Sequence, residues 1–358
     1  MSSTISAGKF RRLQKLADRQ GRFQMLAVDQ RGSMVQSLAE AASVTPDEIS
    51  HASVAEVKRR ITAVLSPSST ATLIDPDYGY PYAVDVLDRD AALLLTSEEY
   101  GYEKAGPRDR ERRTRLIQDW DVAKAACAGA DAIKLLLYYR PDASAPTLQH
   151  QQEICRQVGL ACVQHDLPFL LELVAYPVDA SSDSPAYARE KPKLLVAAAK
   201  EFSQPHYGVD VLKLPFPAEL KYTTQFAAGA FDDRQRDPVY DLDAVRQHCR
   251  DLDEAAAVPW VILSAGVQIA EFLENLRLAC TAGASGFLCG RAIWSSALDA
   301  FPDLAALEQD LAAIAMANFR ACNELTRAAL PWTSHRRFAG SGPQIAQRAA
   351  DWYKVYHT

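Results

Sequence analysis

Gly208-Val209-Asp210-Val211-Leu212-Lys213-Leu214-Pro215 is a short apolar run, opened by a glycine and closed by a proline, with one lysine near its end. A run of that length between two breakers reads as a buried strand. A lysine inside it is costly, because the ammonium loses its water. Desolvation lowers a lysine pKa, and a neutral amine attacks carbonyl carbon. The same lysine could instead pair with a carboxylate or reach along its stem to solvent. The rest of the chain has to separate these readings.

Seven further runs share this form. They are Phe23 to Val28, Thr70 to Ile74, Ala91 to Leu95, Ala132 to Leu137, Pro168 to Leu173, Pro259 to Leu263 and Gly286 to Leu288. Nearly all are separated by stretches with helical spacing. A helix is expected from Thr45-Pro46-Asp47-Glu48, an N-cap followed by proline and acidic residues, to about Leu65. Others are expected over Arg108 to Ala128, Thr147 to His165, Lys191 to Phe202, Leu242 to Ala257, Val267 to Ala282 and Pro302 to Thr326.

Strand–helix alternation demands a parallel sheet, and eight units suggest closure. No Gly-x-Gly-x-x-Gly follows the first strand, which argues against a doubly wound dinucleotide fold. The expected fold is α/β, a single (β/α)8 TIM barrel at about 22–325 within one domain spanning 1–358. Extra terminal helices are expected at about 5–20 and 342–356.

Of the 358 residues, 48% are hydrophobic and 23% charged, as in an ordinary globular protein. The net charge of −6 offers no general attraction to nucleic acid or an anionic membrane. Met1 to Arg12 lacks the apolar core of a signal peptide, and no stretch approaches the about 18 apolar residues of a membrane helix. Seven scattered cysteines without a C-x-x-C pair suit a reducing compartment. Seven histidines without H-x-x-H or H-E-x-x-H spacing give no zinc motif. A cytoplasmic protein without metal or other cofactor is expected.

In a closed parallel barrel the C-terminal ends of all strands meet at one mouth. Asp29, Gln30, Arg31, Asp75, Glu98, Lys134, Glu172, Lys213, Ser264 and Arg291 all fall at or near such ends. Each alone has a structural explanation, but their convergence favours a catalytic one. Lys134, Glu172 and Lys213 lie on strands four, five and six, hence on neighbours. Lys134 would depress the Lys213 pKa by like-charge repulsion, and Glu172 could carry protons. Lys134 could equally be a simple salt-bridge partner of Glu172, and burial alone does not choose the nucleophile.

Ser264-Ala265-Gly266 and Gly290-Arg291 close strands seven and eight, where barrels commonly hold phosphate on backbone amides. Arg291 would grip the anion with its fork of N–H groups. Asp29-Gln30-Arg31-Gly32 is either a capped turn or a carboxylate for a substrate hydroxyl, with an arginine for a second anionic end.

Several of these runs together resemble the class I tagatose-1,6-bisphosphate aldolases and the related sulfofructose-phosphate aldolases. They are Leu26-Ala27-Val28-Asp29-Gln30-Arg31-Gly32, Asp75-Pro76-Asp77-Tyr78-Gly79, Gly129 to Tyr139, Asp210 to Lys213, Leu263 to Val267 and Leu288 to Ala292. The resemblance covers about residues 20 to 335. It implies a metal-independent barrel that cleaves a ketose phosphate through a lysine Schiff base. It further implies Lys213 as that lysine, Glu172 and Lys134 as its partners, and Ser264 and Arg291 as a clamp for the dihydroxyacetone phosphate half. Asp29 would hold a hydroxyl, and Gln30 and Arg31 would face the far end of the substrate. The partner is thus a small sugar phosphate. Barrel aldolases often associate, so a homo-oligomer is compatible with the sequence, although no stretch names an interface.

The chain departs from the family pattern at Pro215, at Glu99 and in a longer, acidic connection from Gln225 to Tyr240. Those departures leave the aldehyde product open. Alternatives are a sulfonated ketose phosphate as substrate, or a barrel that binds sugar phosphate without turning it over.

Overall fold

The computed structural model describes residues 4–338, 340–346 and 350–356. Eight parallel strands close into a barrel in chain order: β1 (Phe23–Val28), β2 (Ala71–Ile74), β3 (Ala92–Thr96), β4 (Ala132–Tyr138), β5 (Phe169–Val174), β6 (Val211–Pro215), β7 (Trp260–Leu263) and β8 (Gly286–Cys289). The closing pairs put Cys289 beside Leu26 and Val261 beside Lys213. Each strand lies within a residue or two of its expected place.

Strand side chains alternate between two faces, so one apolar run serves two cores. Leu26, Ile133, Leu135, Leu171, Leu212 and Ile262 point outward and pack under the surrounding helices. Met25, Leu73, Leu94, Ala132, Leu170, Val211, Val261 and Leu288 fill the barrel interior. Lys134, Glu172 and Lys213 are two residues further along the inward-facing rows of Ala132, Leu170 and Val211. They therefore top an apolar column and stand at the mouth.

The bottom is plugged by α1 (Ala7–Leu16), whose Leu13 and Leu16 join the interior cluster with Trp332 and Phe338. Lys9 on this helix pairs with Asp210 at 2.7 Å, both buried. The outer layer runs α2 (Gly32–Ala42), α3 (His51–Leu65), α4 (Val122–Cys127), α5 (Ala145–Gln164), α6 (Pro185–Phe202), α7 (Leu242–Ala255) and α8 (Ile269–Ala282), then α9 (Arg291–Trp294), α10 (Leu304–Asp310) and α11 (Met316–Leu325). None is long and apolar enough to cross a membrane, among the described residues. All seven cysteines are free thiols, and six are buried.

Four expectations need correction. Thr45 and Glu48 do form a capping box, but it closes only a 3-10 turn. Helix α3 starts at His51 behind a second cap, with the Ser50 hydroxyl accepting from the Ser53 amide. Helix α2 follows the Asp29–Gly32 turn, but the Asp29 cap that was one reading of that turn is absent: Arg31 is the N-cap residue and no side chain caps the helix.

The charged stretch from Arg108 to Ala128 is helical only at α4. Before it, Glu103–Ala105 and Glu111–Arg113 pair as an antiparallel hairpin, turned by Gly106 and Pro107. Arg112 on this hairpin sits 4.5 Å from the Tyr102 ring, 4.8 Å from Tyr176 and 5.7 Å from Tyr138. That cation–π cluster fastens the hairpin beside the mouth. The terminal segment 342–356 is not the expected helix. Gln344–Ile345 pairs with Thr4–Ile5, and Trp352–Val355 is a 3-10 turn, while 347–349 lie outside the described residues.

Candidate active site

Five charged side chains from five strand ends meet in one buried cluster. Glu172 Oε2 lies 2.7 Å from Lys213 Nζ and 3.0 Å from Lys134 Nζ. Lys134 also donates to Asp29 Oδ2 at 2.9 Å and to Glu98 Oε1 at 2.6 Å. The other Glu98 oxygen accepts from the Leu136 amide at 3.1 Å. Glu172 and Lys213 are register partners, but Lys134 lies level with Leu170. Barrel strands tilt, so side chains one step apart in register reach the same height.

The two lysines have different surroundings. Burial by itself would lower the Lys134 pKa, but Asp29, Glu172 and Glu98 outweigh it and hold this ammonium well above its ordinary value. Lys213 has a single carboxylate partner among the described residues, and shares it with Lys134. Burial would likewise raise Asp29 and Glu172, yet Lys134 and Lys213 keep both carboxylates below their usual range. Tyr138 lies four residues beyond Lys134 on the same face of β4. Burial, reinforced by the Glu172 charge, pushes its phenol up to about 12, so it stays a donor.

Above the cluster opens a cavity of about 560 Å³, lined by Gln30, Tyr138, Glu172, Lys213, Ser264, Gly290 and Arg291 among others. A smaller one of about 160 Å³ adjoins it, between Asp29, Arg31, Glu98, Tyr100 and Lys134. Ser264, Ala265 and Gly266 form a turn in which the Val267 amide donates to the Ser264 carbonyl at 3.0 Å. Gly266 has φ +81°, and a Cβ there would stand 3.1 Å from the Arg291 guanidinium carbon. Gly290 has no room for one either, since it would lie 2.5 Å from the Ala27 carbonyl.

Nine of the ten candidate residues line the two cavities at the mouth, and Asp75 does not. Arg31 donates to the Glu98 backbone carbonyl at 2.7 Å and lines the smaller cavity. Asp75, although at a strand end, is spent elsewhere: it pairs with Lys58 and accepts from the Asp77 and Tyr78 amides. Tyr138, Glu271 and Asn275 line the larger cavity without having been singled out. The phase of Tyr138 with Lys134 was a usable signal, whereas Glu271 and Asn275 read as the polar face of an ordinary helix. Among the described residues, no group of three or more His, Cys, Asp or Glu is placed to hold a metal ion.

A family model described as DeoC/LacD family aldolase matches residues 23–296. The chain belongs to that aldolase family. Tagatose 1,6-diphosphate aldolase 2 of Enterococcus faecalis is 36% identical to this DeoC/LacD aldolase over 302 residues, 83% of this chain and 86% of the relative. The tagatose 1,6-diphosphate aldolase of Lactococcus lactis subsp. lactis is 34% identical over 335 residues, 92% and 98% of the two chains.

Solved structures at lower identity share the fold. The fructose-bisphosphate aldolase of Plasmodium falciparum superimposes with a TM-score of 0.64 at 13% identity, covering 91% of this chain and 97% of its own. An archaeal fructose-1,6-bisphosphate aldolase, solved with its catalytic lysine bound to a carbinolamine, gives 0.53 at 16% identity, covering 89% and 99%.

Proposed function

We propose that this DeoC/LacD aldolase cleaves tagatose 1,6-bisphosphate to dihydroxyacetone phosphate and glyceraldehyde 3-phosphate, through a Schiff base on Lys213. The observation that carries the reading is the contrast between the two buried lysines. Lys134, ringed by three carboxylates and held charged, has no lone pair to offer. Lys213 is the amine beside a single proton acceptor, Glu172, at 2.7 Å. The identity to curated tagatose 1,6-diphosphate aldolases supports the substrate.

The reaction follows from these positions. The Lys213 amine adds to the C2 carbonyl, and Glu172 relays the protons needed to expel the carbinolamine hydroxyl as water. The resulting iminium draws electrons from the C3–C4 bond. As that bond breaks, the C4 hydroxyl gives its proton to a carboxylate and becomes the aldehyde. The electron pair left on C3 is held as an enamine, which takes up a proton. Water then adds back and releases dihydroxyacetone phosphate from Lys213. Lys134 keeps the facing carboxylates ionised, and Asp29 accepts from a substrate hydroxyl. Ser264, the turn at Gly266, Gly290 and Arg291 hold the phosphate of the retained half, while Gln30 and Arg31 face the departing end.

Borohydride reduction in the presence of dihydroxyacetone phosphate, followed by peptide mass spectrometry, tests this directly. A reduced adduct on Lys213 is expected. An adduct on Lys134 would reassign the nucleophile, and no adduct at all would leave a sugar-phosphate-binding barrel without Schiff-base chemistry.

A second expectation concerns the clamp. In Gly266→Ala the methyl meets the Arg291 guanidinium and the backbone keeps a left-handed φ that L side chains disfavour. About 1 kcal/mol of strain, felt mainly as lost phosphate binding, corresponds to a KM raised roughly five- to tenfold with kcat nearly unchanged. Steady-state kinetics on the bisphosphate decides it, and a fall in kcat alone would contradict the clamp.

A further inference from the structure

The larger cavity extends past the strand tips to a flank formed by α6, the loop after β6 and α8, where Lys191, Glu219, Lys221, Glu271 and Asn275 line it. Glu271 and Asn275 stand one turn apart on the same face of α8, 1% and 4% exposed. Glu271 Oε2 and Asn275 Oδ1 have no hydrogen-bond partner among the described residues. Buried oxygens of this kind nearly always have one, so two side by side on a cavity wall call for a donor from the cavity.

The neighbouring charges say what kind of donor. Lys191 is 2.5 Å from Glu219 Oε1. Lys221 is 3.2 Å from Asp232 Oδ2 and 3.6 Å from Glu271 Oε2, too far for a hydrogen bond to the latter. Asp183 and Arg234 also line this flank, and Arg236 pairs with both Asp183 and Asp232, so four cationic groups are matched by four carboxylates and none is left over for a phosphate or sulfonate. A ligand ammonium would meet Lys221 and Lys191. Hydroxyl groups satisfy the vacant acceptors without adding charge. Burial, with Glu219 in support, pushes the Glu271 carboxyl up to about 7 against the pull of Lys221 and Lys191. At neutral pH it can therefore donate to a hydroxyl as well as accept from one.

We propose that Glu271 and Asn275 form a hydroxyl-reading subsite, which takes an uncharged polyol segment of the ligand in the cavity that also holds Lys213. It rests on the aldolase reading only for the identity of the molecule to which that segment belongs. Its consequence is selectivity among hydroxylated carbon chains, decided on the α8 flank rather than at the Schiff base.

Erythritol, four carbons bearing four hydroxyls and no charge, is the probe. Ligand-observed NMR titration of the full chain is expected to show saturable binding, weakened roughly tenfold in Asn275→Leu, the worth of about one hydrogen bond. If the leucine variant melts below the wild type, Asn275→Ala gives the same readout with less crowding. Binding equal in wild type and both variants, or no saturable binding to the wild type, overturns the subsite and leaves water as the occupant. Borohydride trapping of dihydroxyacetone phosphate, run on the same samples, reports the other reading separately. An adduct on Lys213 with variant-insensitive erythritol binding sinks the subsite alone. No adduct with variant-sensitive binding sinks the aldolase chemistry alone.

Discussion

Lys213→Met is expected to lower cleavage of tagatose 1,6-bisphosphate at least about 10⁴-fold while the protein stays folded. Methionine has nearly the length of lysine and no amine, so neither carbinolamine nor iminium can form. The fold should survive because no charge is stranded. Glu172 keeps Lys134 as its partner at 3.0 Å, and the residue beneath, Val211, already belongs to the apolar interior. Thermal unfolding should shift by only a few degrees, and borohydride should trap nothing with dihydroxyacetone phosphate. Residual activity within about a hundredfold of wild type would mean that the chemistry does not pass through this amine.

Lys134→Met should behave in the opposite way. Its ammonium is the shared partner of Asp29, Glu98 and Glu172, and it is 2% exposed. Removing it strands buried carboxylates, a change that costs about 3–5 kcal/mol. Urea unfolding at neutral pH measures that loss. Turnover should also fall, by roughly 10²- to 10³-fold, because the protonation states around Glu172 change. Lys213 remains, however, so a trapped adduct should still form. One variant is stable and untrappable, the other unstable and trappable.

The pH dependence separates them further. The folded pKa values of Asp29 and Glu172 lie below their ordinary ones, since the two ammonium groups outweigh burial. Their stabilisation is present above the unfolded carboxylate range near about pH 4 and is lost as pH falls through the lower folded values. Lys134 is raised, so its share is present below about pH 10 and is lost only as pH rises through its higher folded value. Wild-type stability from this cluster is thus level between those limits. In Lys134→Met only Lys213 is left to oppose burial, so the folded pKa values of Asp29 and Glu172 rise from their wild-type positions. The deficit should be largest at neutral pH and shrink below about pH 5. A deficit independent of pH would show that Lys134 acts by packing rather than by charge.

The barrel was readable because its signals are local. Eight short apolar runs between breakers, with lysines or carboxylates in phase with the inward row, carry their own period of two. The same phase brought Lys134, Glu172 and Lys213 to one mouth. Local signals also misled. The charged stretch from Arg108 read as helix, yet its arginine is held by three tyrosines, Tyr102, Tyr138 and Tyr176, drawn from separate segments. The Thr45 N-cap is real but starts only a 3-10 turn, because Ser50 caps the helix that follows.

By itself, then, the sequence determined the alternation of strand and helix, the closure into a parallel barrel and the residues at its strand ends, since period, breakers and strand order are written along the chain. Only the tertiary structure decided the pairing. It put three carboxylates around Lys134 and one beside Lys213, spent Asp75 on Lys58, joined Thr4–Ile5 to Gln344–Ile345, and left one oxygen each of Glu271 and Asn275 on a cavity wall without a hydrogen bond from the described residues. The physical reason is that ionisation and hydrogen bonding depend on distances of about 3 Å between groups far apart in the chain, and strand tilt and stagger set those distances.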